Sequence, residues 1–382
     1  MRRNALALGV ALSLAGAGQQ AMAIEDIRIN GFLTAAATQT DADSPYNIDL
    51  ASDELRFDGR DNRLGLQIAA DINERMSFTM QLLARAVPDN FNAEADWAFV
   101  GYDVTDDLQV RAGKVKLPTF LTSDYIEVGY AYPWIRPPQE VYSLSPITSL
   151  SGVDVLWTVP VGNNRLLVQP YYGNSSGTGF VTGMQAESGP PFPEVGTEVN
   201  FEAKQLAGIN LALSTDIGTF RVGYLTTKVS SDFEVNGIRL IDDDKATFMS
   251  VGMNIDWNNF VGYAEWASRD QDGGAEFGFP DQKAWYVTAG YRIGPWLPSI
   301  TYAQLEAGSP DDADVKLISQ EQSSVTLGVR YELAAGAALK FEATRVEPKN
   351  GNTGLFDGPL DTSNPTANRS ANVYGLALDV VF

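Results

Sequence analysis

The chain has 382 residues, a formal charge of −21, no histidine and no cysteine. The missing side chains exclude disulfides, thiolate nucleophiles, Ser-His-Asp hydrolysis and zinc sites built on Cys or His, so no enzyme activity, cofactor or metal centre is expected. The acidic balance excludes a basic surface for nucleic acid.

At the N-terminus, Arg2 and Arg3 precede an apolar stretch from Ala5 to Ala17 and an Ala21-Met22-Ala23 cleavage site. This pattern predicts a signal peptide over residues 1–23, leaving residues 24–382 as a single domain. Loss of Arg2 and Arg3 takes the formal charge from −21 to −23. No later stretch approaches the roughly 18 uninterrupted apolar residues of a helical span, so any membrane is crossed by strands. The mean hydropathy of −0.13 is that of a soluble protein, and a barrel that turns only alternate residues to lipid shares it.

From residue 27 onward, polar and apolar residues alternate with period 2 in segments of about ten residues, the length of a tilted transmembrane strand. The pattern predicts sixteen strands, near 27–38, 63–72, 75–85, 94–102, 107–115, 152–159, 164–172, 205–215, 219–229, 246–256, 259–269, 283–293, 296–306, 322–333, 337–346 and 372–382. The third is the clearest. Met76, Phe78, Met80, Leu82 and Ala84 share one face, and Arg75, Ser77, Thr79, Gln81 and Arg85 the other; a helix would scramble the two sets.

Tight polar turns at 71–74, 103–107, 160–164, 215–218, 256–259, 293–295 and 333–336 alternate strictly with long connections at 39–62, 86–93, 116–151, 173–204, 230–245, 270–282, 307–321 and 347–371. That rhythm is expected of an up-and-down antiparallel barrel with short periplasmic turns, long outer loops and both termini in the periplasm. Trp97, Tyr102, Trp157, Tyr171, Tyr172, Trp257, Phe260, Trp266, Trp285, Tyr291, Trp296, Tyr302 and Tyr331 cluster toward strand ends. Two aromatic girdles at headgroup level are expected there. The last strand alternates up to a terminal aromatic, with Tyr374, Leu376, Leu378 and Val380 on the face of Phe382 and Asp379 pointing inward.

Two soluble alternatives fit less well. A secreted β-sandwich also alternates, but its strands average about half this length and its loops do not sort into two sizes. A periplasmic binding protein needs segments of helical period, and none is found.

Several features together carry a resemblance: the Ala21-Met22-Ala23 site, the Gly31-Phe32 pair of the first strand, the sixteen-strand rhythm, the run from Val110 to Phe120 into a long third loop, and the closing Tyr374 to Phe382. On these, the mature chain resembles the Gram-negative outer-membrane porin superfamily, of the general diffusion type. The resemblance implies an all-β, 16-stranded antiparallel up-and-down transmembrane β-barrel, with the long third loop folded into the lumen. It also implies a homotrimer, and Phe382 as the signal for the barrel-assembly machinery. Two features depart from the pattern. The acidic Pro-Glu-Phe-Gly tip of such third loops is absent, and the second outer loop, residues 86–93, is short for a latch between subunits.

An aqueous pore needs polar lining groups and a charge pattern at its narrowest point. Parity turns Arg28, Arg63, Gln67, Arg75, Gln81, Arg85, Asp96, Gln109 and Arg111 inward. Arg28, Arg63, Arg85 and Arg111 are expected to form a basic wall, faced across the constriction by Asp124, Glu127 and Glu140 of the third loop, which also carries Arg136. The alternative is that these arginines pair with Asp71, Asp96 or Glu94 and only stabilise the wall. Tyr125, Tyr130, Tyr132 and Trp134 either pack the loop or offer sugars a stacking surface. Lys114 and Lys116 break the parity and are expected to mark where the strand leaves the wall, or to hold an anion at the mouth. The acidic runs Asp242-Asp243-Asp244 and Asp311-Asp312-Ala313-Asp314 have oxygen ligands suited to Ca²⁺ or Mg²⁺ but no EF-hand spacing, and are read as solvated loops.

The expected function is passive diffusion of small hydrophilic solutes and ions across a bacterial outer membrane. Outer-membrane lipid and lipopolysaccharide are the expected surroundings, and the net negative charge predicts weak cation preference. The alternative is a channel selective for anions such as phosphate or carboxylates.

Overall fold

The computed structural model describes residues 25–47, 50–87, 90–180, 198–232, 234–235, 238–239, 241–272, 281–307, 320–350, 354–356 and 370–382. The leader and the acidic run at Asp311 to Asp314 lie outside them.

The sixteen barrel strands are β1 (Glu25–Thr40), β2 (Arg63–Asn73), β3 (Met76–Val87), β4 (Asn90–Thr105), β5 (Leu108–Lys116), β6 (Ser149–Val161), β7 (Asn164–Phe180) and β8 (Glu198–Ser214), followed by β9 (Gly218–Ser231), β10 (Asp244–Trp257), β11 (Phe260–Gln271), β12 (Gln282–Tyr291), β13 (Trp296–Ala307), β14 (Gln322–Ala334), β15 (Ala337–Pro348) and β16 (Ala371–Val381). Each pairs antiparallel with its sequence neighbours, and β16 returns to β1, closing the ring. Closure leaves no row of unpaired amides facing hydrocarbon, where each would cost several kcal/mol.

Every strand read from the alternation is present, and several run further outward than the pattern indicates. β7 and β8 continue to Phe180 and from Glu198, taking up part of the connection expected at 173–204. The second outer connection comes down to residues 88–89, outside the described residues. β5 does not leave the wall at Lys114, because its pairing with β6 persists to Lys116 opposite Ser149. Gly113, just before the two lysines, sits at φ 136°, and the register continues through it without a shift. Elsewhere left-handed residues make the tight turns, as with Asn258 at φ 54° and Gly336 at φ 82°.

The two faces of the strands separate cleanly. Val287, Ile300 and Leu327 point outward and are exposed, while their neighbours Thr288 and Thr301 are buried on the inner face. Transfer of each such aliphatic side chain into hydrocarbon is worth about 1.5–3 kcal/mol. Trp157, Tyr172, Trp257, Tyr291 and Trp296 are exposed on the outside, as girdle residues should be.

Trp97 and Tyr171 correct the expected girdle: both turn inward. A bulge in β4 is responsible for the first, since Trp97 opposes Gln81 and Ala95 opposes Leu82, with Asp96 inserted between them. Tyr171 is buried over Gly208, where an added Cβ would lie 2.4 Å from its hydroxyl. At the seam, Phe382 exchanges backbone hydrogen bonds with Gly31 at 2.7 and 2.9 Å, and its ring covers the space that a Cβ on Gly31 would need.

Candidate functional site: a charged inner face and the 117–148 segment

Between β5 and β6, residues 117–148 form two 3₁₀ turns, Ser123–Tyr125 and Gly129–Ala131, and one helical turn, Gln139–Tyr142. The segment bonds to inner-face residues of strands far apart in the ring. Leu121 N–H donates to Glu265 on β11 at 2.7 Å, and Trp134 Nε1 donates to Thr301 on β13 at 3.0 Å. Ile135 N–H donates to Glu342 on β15 at 2.9 Å, and Arg63 on β2 donates to the Tyr132 hydroxyl at 2.7 Å. Apolar residues complete the docking: Phe120 stacks on Tyr142 with ring centroids 4.6 Å apart and meets Phe248 of β10 edge-on at 5.3 Å. Tyr132 and Trp134 are buried in this core. Their rings therefore pack the segment and present no face to a passing sugar.

Three of the eight residues expected at the constriction come together. Arg63 and Arg85 are direct register partners on β2 and β3. Glu127 reaches both, with its Oε2 3.8 Å from Arg63 and its Oε1 3.6 Å from Arg85. Arg85 also holds Glu94 at 2.7 Å. Burial opposes the charge on Glu127, but Arg85, Lys116 and Arg63 outweigh it and hold the carboxyl below its usual range.

The other five pair elsewhere. Arg28 pairs with Asp71 at 3.2 Å beside the turn between β2 and β3. Arg111 donates from Nε to Asp154 at 2.8 Å. Asp124 lies 3.5 Å from Arg221 on β9. Arg136 grips Asp61 of the first outer connection at 2.9 Å; burial works against that carboxylate, yet Arg136 holds its pKa down. Glu140 accepts from Gln322 on β14 at 2.6 Å, and burial pushes its carboxyl up.

Parity reading named neither Asp154 nor Arg221, although both were legible: Val153 and Val155 flank one, and Phe220 and Val222 the other. They belong to a belt of hydrogen bonds across five consecutive strands. Arg111 and Gln169 both donate to Asp154, Asn210 donates to Gln169 at 3.0 Å, and Arg221 donates to Asn210 at 2.7 Å. Arg221 then reaches the Leu121 carbonyl at 3.2 Å. One carboxylate thus neutralises Arg111 directly. Arg111→Ala is expected to strand a buried Asp154 and shift ion preference toward cations, as a reversal potential would read. An unchanged value would leave Arg111 a purely structural partner.

In the outer connections, Asp243 pairs with Lys228 at 2.6 Å and Asp242 with Arg239 at 3.7 Å. Among the described residues, no group of three or more His, Cys, Asp or Glu is placed to hold a metal ion.

The family model for Gram-negative porins matches residues 5–351. No curated protein matches the sequence. Among solved structures, an anion-selective porin from Comamonas acidovorans is 13% identical, with 94% of this chain and 99% of that chain covered and a TM-score of 0.56. OmpF of Salmonella typhi, in complex with daunomycin, is 12% identical over 93% of this chain and 97% of its own, with a TM-score of 0.56. The trimer form of OmpT, an outer-membrane protein of Vibrio cholerae, is 13% identical over 94% and 99%, again with a TM-score of 0.56. At such identities the likeness is one of fold.

Proposed function

Because the chain belongs to the Gram-negative porin family, we propose that it is a weakly selective diffusion channel for small hydrophilic solutes and ions, narrowed by residues 117–148 lying across its lumen. The family and the fold favour an outer-membrane channel over an enzyme. The contacts of the 117–148 segment with β2, β11, β13 and β15 support its path through the interior. Residues 1–23 act as the export leader, Phe382 guides assembly, and the barrel works as a homotrimer in lipid and lipopolysaccharide, in keeping with the trimer form of the Vibrio cholerae relative.

One observation carries the reading of weak selectivity: Arg28, Arg63, Arg85, Arg111 and Arg221 each face a carboxylate on the inner face or the segment. A wall neutralised pair by pair lacks the excess positive charge that a phosphate or carboxylate channel needs. The net negative charge then tips the preference toward cations. Purified protein in a planar bilayer is expected to give stepwise ohmic conductance with a modest cation bias in a KCl gradient. Silent membranes would sink the channel reading, and strong anion selectivity would favour the alternative.

A further inference from the structure

We propose that Lys340 is the positioning residue of the constriction, holding the 129–134 turn across the seam where the last strand meets the first. The inference rests on the reading of residues 117–148 as the constricting segment. An ammonium carries three donors and no acceptor, and Lys340 makes two hydrogen bonds and one ion pair. Its Nζ donates to the Gly129 carbonyl at 2.6 Å and to the Trp134 carbonyl, and it lies 2.9 Å from Asp379 Oδ2. Two of the three partners are therefore backbone oxygens of the segment. The third belongs to β16.

Asp379 extends the network to β1, because its Oδ1 accepts from the Thr34 hydroxyl at 2.6 Å. Lys340, Asp379 and Thr34 are all buried, so the ion pair is shielded from salt and water. The fit around it is close. A Cβ on Gly129 would lie 2.1 Å from Asp379 Oδ1 and 2.8 Å from Thr34 Oγ1. Ile135 fills a notch made by Ala36 of β1 and Ala377 of β16, and a Cβ on Gly375 would come within 2.7 Å of its Cδ1. The turn thus seats only where three strands, β15, β16 and β1, have already come together, and Lys340 supplies the charge that holds it there.

The test compares Lys340→Met, Lys340→Arg and the double variant Lys340→Met/Asp379→Leu in planar bilayers, after confirming folding by heat-modifiable gel migration. The double variant removes both charges and keeps the measurement open if Lys340→Met alone fails to fold. Expected are an altered unit conductance and a rise of about twofold or more in open-channel current noise for the Met variants, with Lys340→Arg close to the parent. A folded double variant with parental conductance and noise would overturn the proposal. A second readout does not need conduction: Ala36→Cys/Ile135→Cys, in a chain without native cysteine, is expected to cross-link on oxidation and to lose that cross-link when Lys340→Met is added. A cross-link undiminished by Lys340→Met would count against Lys340 as the positioning residue even if every bilayer were silent. Silence of the parent protein would instead count against the channel itself.

Discussion

Glu127→Gln is expected to move the reversal potential in a KCl gradient toward chloride. The side chain is the one carboxylate of the 117–148 segment that contacts two wall arginines, Arg63 and Arg85. Neutralising it removes the salt bridge of Arg63 and leaves Arg85 paired with Glu94, with Asp61 and Asp96 as further carboxylates acting on the two. Even at the dielectric of water a unit charge at a few Å amounts to about 1 kcal/mol, or roughly fivefold in permeability ratio, and because Glu127 is buried, raising the salt should shrink the effect little. An unaltered reversal potential would reduce Glu127 to a fastening for the segment.

The pH dependence of the same residue has a definite sign. Its carboxyl is held below the ordinary range when folded, so its contribution to stability and to selectivity is full above the unfolded value and disappears as pH falls through the depressed folded value. Mild acidification that protonates an ordinary surface carboxylate should therefore leave the Glu127 contribution in place. Loss of cation bias already at mildly acidic pH would contradict this.

Asp96→Ala is expected to produce the largest loss of stability. Lys116 Nζ lies 2.9 and 2.8 Å from the two carboxylate oxygens, Gln81 donates to one of them at 3.0 Å, and both charged side chains are almost wholly buried. Removing one partner strands the other charge, a cost of about 3–5 kcal/mol. Urea unfolding of the vesicle-embedded barrel should show it as a lowered midpoint. Replacing both, as Asp96→Leu/Lys116→Met, should restore most of the loss, because a well-packed apolar pair avoids the desolvation of two ions. If the single and double variants unfold alike, the pair is not what fastens the segment's origin to the wall. Since Lys116 also stabilises the charge on Glu127, the stranded lysine should pull ion preference the same way as Glu127→Gln.

Strand number, direction and facing were legible because they follow from a local rule. Period-2 alternation is set by each residue's own neighbours, and a strand such as β3 declares both its faces in twelve residues. The exceptions came where the backbone breaks that rule: the bulge at Asp96 turned Trp97 inward and set the Asp96 carboxylate where Lys116 reaches it.

Sixteen alternating strands with a charged inner face could be read from the order of residues alone, which also marked Glu127 and the arginines of β2 and β3 as candidates. Which charge meets which was set by the folded ring. Arg111 finds Asp154 on the next strand, Arg136 finds Asp61 in another connection, and Lys340 finds carbonyls some 200 positions away. Alternation fixes the direction of a side chain relative to its own strand. Its height in the ring, and the partners that the 117–148 segment finds, depend on register and on contacts between residues far apart in the chain, and no local pattern encodes them.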